Sequence, residues 1–315
     1  MGIGKVNTLG ADSIAKINTL AKASISKISS TLASFAAAFT NTKAVSKSTT
    51  TGAANSIQIE ETTDTNFIFT QNSAFSIGFW IKVGWNNTLN TNIHFFAMND
   101  GSSTARNQQI RIFYNESNNR LEFRIGHDTS NRSVNFWALH SHLSVTGLAG
   151  SAASQYWSSA TSANRGNVNA DDFTHLMITK GTGTTLAASN IDAYWNGVPL
   201  GNAFYASGNN FGTVSMDGSS PRRITLGSNA NNLEKCGNNN ATVYNDLTIY
   251  NKRLSDLEVS DLYNSGSVTD ATSLSSNSNL VGYYTFEASD GADSSGQSDA
   301  SDSFTVNGDS AIVSV

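Results

Sequence analysis

Phe75, Ile77, Phe79, Ile81 and Val83 alternate with Ser76, Gly78, Trp80 and Lys82. A period of two matches the pleat of a strand, on which successive side chains point to opposite faces, and it predicts one face in a core. The same texture continues through Ile93 to Met98, Ile110 to Tyr114 and Leu121 to Ile125, broken each time by Asn, Asp or Gly. Phe173 to Thr179 and Ile224 to Ser228 read as further strands. Ile191 to Trp195 runs through Asn196-Gly197 into Val198, a hairpin whose turn takes positive φ at both central positions. The stretch from Gly126 to Asp172 is longer than a compact domain leaves structureless, so a strand is expected over Val134 to Leu139. Two prolines, 25 glycines and 14% charged residues among abundant Ser, Thr and Asn suit many turns and solvated strands. The expected fold class is all-β, and 315 residues accommodate one large sandwich with an appendage.

One helix interrupts this pattern. Val243, Leu247 and Ile249 form a strand that leads through Tyr250-Asn251-Lys252-Arg253-Leu254 to Ser255, whose hydroxyl can accept the first free amides of a helix. Glu258, three residues on, completes a capping box, and Gly266 supplies a stop. This junction resembles the closing motif of laminin-G-like domains, in the concanavalin A-like lectin/glucanase superfamily. Phe75 to Val83, Phe173 to Thr179 and Ile224 to Ser228 are similar to other strands of that family. The resemblance implies a jelly-roll sandwich over residues 56–315. It also implies an altered chain order. Leu280-Val281-Gly282-Tyr283-Tyr284-Thr285-Phe286, followed by Asp293-Ser294-Ser295-Gly296, is similar to the phrase with which such domains usually begin, yet here it comes last. A circular permutation is therefore expected, with Val281 to Phe286 pairing beside either Ser56 to Ile59 or Asp246 to Tyr250.

Residues 1–40 have a different grammar. Lys5, Lys16 and Lys27 recur every 11 residues within similar phrases, and Ile14, Ile17, Ile25, Ile28, Leu32 and Phe35 mark an apolar stripe. An 11-residue period fits a helix supercoiling weakly to the right, and equally a stack of short β-arcs. Neither can bury one stripe alone, so the segment is expected to be an anchoring and homo-oligomerisation arm. Six lysines against Asp12 give the first fifty residues a charge of +5, which leaves −10 on the rest. A basic arm on an acidic body suits contact with something negative, or solubility while a partner is awaited. Residues 41–55, rich in Thr, Ser, Ala and Lys, read as a linker. The phrases Ile3-Gly4-Lys5-Val6-Asn7 and Ile14-Ala15-Lys16-Ile17-Asn18 resemble N-terminal segments of tailed-bacteriophage structural proteins. That resemblance implies a place at the virion surface, other virion proteins as partners, and a role in capsid decoration or tail-fibre host attachment.

Enzymatic chemistry finds little footing. A retaining glycosidase needs two carboxylates about 5 Å apart, which on a strand demands regular alternation. Glu60, Glu61 and Asp64 lack that alternation, so no catalytic residue is expected. His140 and His142 would share one face of a strand but have no third ligand nearby, and Asp290, Asp293, Asp299 and Asp302 lie in a turn-rich segment that explains them without calcium. No metal and no cofactor are expected. Cys236 is the sole cysteine, so no intrachain disulfide can form. No apolar run approaches the ~18 residues of a membrane span. The arm has no arginine or interleaved aromatics and the body is acidic, which excludes a nucleic-acid partner. Sugar binding fits better. Trp137, Tyr156 and Trp157, with the turns Gly208-Asn209-Asn210 and Asn238-Asn239-Asn240, offer flat rings and polar groups for a polysaccharide. The same aromatics would equally serve as core or subunit-contact residues. The leading expectation is a non-enzymatic virion structural protein displaying a lectin-like sandwich. The alternatives are a carbohydrate-binding adhesin domain of a secreted bacterial protein and, third, a glycan-degrading enzyme.

Overall fold

In the computed structural model of the chain, the described residues are 42–47, 56–61, 69, 72–82, 93–99, 110–115, 120–125, 134–139, 173–183, 190–199, 204–207, 222–227, 242–287, 291–296 and 303–315. Contacts divide the chain into Met1–Thr40 and Asn41–Val315, and every described residue falls in the second unit. The arm residues Ile14, Ile17, Ile25, Ile28, Leu32 and Phe35 lie outside the described residues.

The body is an all-β sandwich of two antiparallel sheets. Its strands in chain order begin with β1 (Lys43–Lys47), β2 (Ile57–Glu61), β3 (Phe75–Lys82), β4 (Ile93–Asn99), β5 (Ile110–Asn115), β6 (Arg120–Ile125), β7 (Val134–Leu139) and β8 (Thr174–Lys180). They continue with β9 (Ile191–Trp195), β10 (Val198–Pro199), β11 (Phe204–Ser207), β12 (Arg222–Leu226), β13 (Thr242–Tyr250), β14 (Leu280–Tyr284), β15 (Thr305–Val306) and β16 (Ala311–Ser314). The first sheet runs β10-β9-β8-β3-β13-β1-β16, with β14 also on β13; the second runs β11-β7-β6-β5-β4-β12-β2-β15. The expected strand over Val134 to Leu139 is β7. The Asn-Gly hairpin joins β9 to β10, with φ of 51° at Asn196 and 75° at Gly197.

The core forms where the alternating apolar residues of the two sheets meet. Phe75, Ile77, Phe79 and Ile81 of β3 pack with Phe96 and Met98 of β4, Ile112 of β5, Ile224 and Leu226 of β12 and Tyr244 of β13. The Phe79 and Phe96 rings bridge the sheets at 6.2 Å. Each fully buried Phe or Ile contributes about 1.5–3 kcal/mol relative to exposure.

Alternation predicted one buried face for β3, but its outer residues Ser76 and Trp80 are buried as well. Their cover is helix α1 (Asp256–Tyr263) with the segment leading into it, which together seat Val259, Leu262 and Leu254 on Met177, Tyr194, Tyr250 and Tyr283 of the first sheet. Its capping box is as expected. Ser255 accepts from the Glu258 amide, while the Glu258 carboxylate accepts from Ser255. The stop differs: Asn264, in the left-handed region at φ 44°, ends the helix, and Gly266 closes the 3-10 turn that follows.

The late position of the Leu280 to Tyr284 phrase has a direct geometric basis. β14 pairs with β13, Leu247 opposite Tyr284 and Thr248 opposite Tyr283, which is the second of the two expected neighbours. The two ends of the body meet. Lys43–Lys47, inside the stretch expected to be a linker, is instead a sheet strand between β13 and β16, with Ala44 and Val45 fully buried. Five residues containing two lysines and a serine are too short and too polar for alternation to reveal them. The Val315 amide donates to the Thr42 carbonyl at 3.0 Å. One Glu287 oxygen accepts from the Thr42 and Lys43 amides, each at 2.8 Å, and the other accepts from the Thr42 hydroxyl at 2.7 Å. The point where the arm enters is thus clamped by one carboxylate. Glu287→Ala is expected to lower stability by about 1–2 kcal/mol and to raise amide exchange selectively in β1. Uniform or unchanged exchange would show that the clamp is idle.

Candidate functional site

A sandwich has two outer faces, and here they differ in chemistry. The first sheet's outer face is apolar and closed. At the start of the roof, Ser76 Oγ donates to the Lys252 carbonyl and accepts from the Leu254 amide, fixing the approach to α1. Tyr194 Oη donates to Asp256 at 2.8 Å, Arg253 pairs with Asp192, and Lys252 pairs with Glu258. Burial opposes ionisation of Glu258, but the bonds from Lys252 and Ser255 prevail and hold its carboxyl below the ordinary range. These groups line an open crease of about 660 Å³ with Leu257 at its rim. Two ion pairs and the Tyr194–Asp256 hydrogen bond across the crease latch the helix and its approach to the sheet.

The other end of the roof is aromatic. His175 of β8 lies 5.2 Å from the Trp80 ring and 6.3 Å from Tyr263, while Trp80 stacks on Tyr263 at 5.7 Å. Asn196 Oδ1 accepts from the His175 amide. Gly197 passes so close to Tyr263 that a Cβ there would meet the ring at 2.8 Å. Burial keeps the His175 imidazole neutral by lowering its pKa to about 3.

The second sheet's outer face is polar, charged and aromatic. On β5 and β6 the residues alternating with the core positions Ile112 and Phe123 are Arg111, Phe113 and Glu122. Strand pairing extends these into a row: His94 of β4 opposite Phe113, Phe113 opposite Glu122, Glu122 opposite Trp137 of β7, and Trp137 opposite Tyr205 of β11. A second row runs from Thr225 of β12 through Ala97 and Arg111 to Arg124 and Asn135. His94 stacks on Phe113 at 5.3 Å, and the Arg111 guanidinium lies 5.5 Å over the same ring. His94, Phe113 and Glu122 are buried, whereas Arg111 and Arg223 are half-buried. A carboxyl group as buried as that of Glu122 requires hydrogen-bonding or charged partners. Arg111 and Arg223, half-buried, are the described charged groups of this face that reach solvent.

Of the residues expected to bind glycan, Trp137 stands in that row; Tyr156 and Trp157 lie outside the described residues, as do both Asn-rich turns. His94, Phe113, Glu122 and Tyr205 were missed. The signal for them was present in the strand phrases, where a polar or aromatic residue sits at each position alternating with a core apolar one. Asp293 is fully engaged in the turn beside β14. Its Oδ1 accepts from the Tyr283 and Ser295 amides and its Oδ2 from the Ser295 hydroxyl. Asp290, Asp299, Asp302, His140 and His142 lie outside the described residues. Among the described residues, no group of three or more His, Cys, Asp or Glu converges as a metal site, and no helix is long and apolar enough to cross a membrane.

No protein-family model and no curated protein matches the chain. Among solved structures it is similar to the binding domain of Paraclostridial Mosquitocidal Protein 1, with 20% identity over 66% of this chain and 41% of that one and a TM-score of 0.40. It is also similar to the botulinum neurotoxin serotype G binding domain, with 16% identity over 65% of this chain and 40% of that one and a TM-score of 0.41. A third likeness is to the K499G mutant of NanB sialidase from Streptococcus pneumoniae, with 14% identity over 65% of this chain and 27% of that one and a TM-score of 0.39. The chain spans less than half the length of each of these structures. The fold assignment rests on the two antiparallel sheets themselves.

Proposed function

We propose that this chain is a non-enzymatic bacteriophage virion structural protein, located at the particle surface. Its arm docks on other virion proteins or on copies of itself, and its sandwich serves capsid decoration or attachment to host polysaccharide. The observation that carries the binding half is the contrast between the two outer faces. One is covered by an apolar roof, while the other carries the half-buried Arg111 and Arg223 beside the register row His94, Phe113, Glu122, Trp137 and Tyr205. The virion half is supported by the 11-residue lysine repeat of residues 1–40.

The test has two arms. Full-length protein on an array of bacterial surface polysaccharides is expected to bind, and Trp137→Ala is expected to weaken binding at least tenfold, about 1.4 kcal/mol or more, while the far-ultraviolet spectrum is retained. Silence of the wild type on the array would overturn the glycan reading. Deleting residues 1–40 is expected to release a folded but particle-free body; normal incorporation into particles would overturn the anchor. Release of reducing sugar would overturn the non-enzymatic reading. The adhesin alternative uses the same face and is distinguished by glycan binding without any particle association.

A further inference from the structure

Among the described strands, the paths of the two sheets end in β10 and β16 in the first and β11 and β15 in the second. Unpaired edges invite pairing with another chain, and natural sheets blunt them with short strands, proline, charge or a covering turn. The first sheet shows three of these devices. β10 has two residues, one of them Pro199. β15, on the second sheet, likewise has only two. β14, which lies along one side of β13, has its far side covered by the Asp293 turn: Ser294 N–H donates to the Tyr283 carbonyl and Asp293 Oδ1 accepts from the Tyr283 amide.

β16 has none of them. Ser310 to Val315 is six residues without charge, proline or glycine, and Ile, Val and Ser are placed where a strand former is favoured. Ala311, Ser314 and Val315 are exposed, and no described strand pairs with the side of β16 away from β1. The direction of the free amides follows from the ladder. Val315 N–H donates to Thr42, so in an antiparallel pair Val313 and Ala311 also point to β1, while the amides of Ile312 and Ser314 point outward.

We propose that β16 pairs antiparallel with β16 of a second copy, joining the two first sheets edge to edge across a two-fold axis. In an antiparallel self-pair the residue at the two-fold axis faces its own symmetry mate and those beside it face near neighbours, so a charged side chain near the axis would meet a like charge. The run from Ser310 to Val315 has no charged side chain, so an axis within it is free of that conflict. Pairing supplies partners for the outward Ile312 and Ser314 amides and brings Val313 of the two copies into one outer row. This contact is independent of the face proposed to bind glycan and of whether the arm assembles.

Ser314→Pro tests it in the full-length chain. Proline removes an outward amide and leaves the Val313 and Val315 bonds to β1 intact, so the fold is retained. Sedimentation of the wild type is expected to show a concentration-dependent doubling of mass that Ser314→Pro abolishes. Residue-resolved hydrogen exchange is expected to show Ile312 and Ser314 gaining at least tenfold protection as concentration rises. A wild type that stays monomeric, or whose oligomers are unchanged by Ser314→Pro with concentration-independent exchange at Ile312, would overturn the proposal. The second of those results would assign assembly to the arm alone. Ser314→Thr, which keeps the amide, should behave as wild type; loss of pairing there would also count against backbone pairing as the cause.

Discussion

Between pH 6.5 and pH 4 the wild-type protein is expected to lose about 3 kcal/mol of stability that a His175→Phe variant keeps. His175 is buried among Trp80, Tyr263 and the Asn196-Gly197 turn, and that burial lowers its imidazole pKa from the ordinary 6.5 to about 3. Below pH 6.5 the unfolded chain therefore binds a proton that the folded chain refuses, and stability falls as pH falls, until the folded state also protonates near pH 3. Above pH 6.5 both states are neutral and the residue is silent. Phenylalanine suits a site walled by two rings and removes the proton without adding a polar group. Carboxylates titrate in both proteins, so the difference between their urea midpoints, measured every half pH unit, isolates His175. Parallel curves for the two proteins would refute this assignment.

That residue also shows where reading along the chain stops. The tryptophan of β3 and the histidine of β8 are adjacent because Trp80 and His175 are paired across two strands that are 95 residues apart in sequence, a register that only the assembled sheet determines. Local chemistry was legible. The alternation of Phe75 to Lys82, the Asn196-Gly197 turn and the Ser255/Glu258 capping box are each decided by neighbours within four residues, and each forms as expected. Trp137 was named from the sequence as an aromatic suited to sugar, and its register position beside Glu122 and Phe113 follows only from the β5-β6-β7 pairing. β1 was illegible because its burial comes from β13 and β16, not from its own pattern. The pairing of Leu280 to Tyr284 with β13 was readable, since that phrase has an apolar and aromatic content that needs a central place.

The place of that strand beside β13 depends on a single irregular residue. β13 pairs with β1 through Thr242 to Tyr244 and with β14 through Leu247 to Tyr250, and the change of partner occurs at a bulge where Asp246 takes φ 44°. Aspartate tolerates this left-handed conformation better than most residues, and its own amide is held by Asn245 Oδ1 at 3.0 Å. Its carboxylate accepts from Tyr283 Oη at 2.8 Å, tying the bulge to β14 in a buried setting. Burial, reinforced by the Asp246 charge, pushes the Tyr283 hydroxyl well above its ordinary pKa, so it remains a donor throughout the usable pH range. Asp246→Ala combines a poorly tolerated φ with the loss of the tyrosine's main acceptor, and is expected to cost about 3 kcal/mol. Asp246→Asn keeps both the conformation and an acceptor and should cost about 1 kcal/mol. Tyr283→Phe should resemble Asp246→Ala less its backbone share, and the double variant should cost less than the two together because both remove one bond. Urea unfolding of the four proteins gives the coupling directly. Strictly additive costs, or amide exchange in Leu280 to Tyr284 that stays at the wild-type rate in Asp246→Ala, would show that the strand is held by its apolar contacts and not by the bulge.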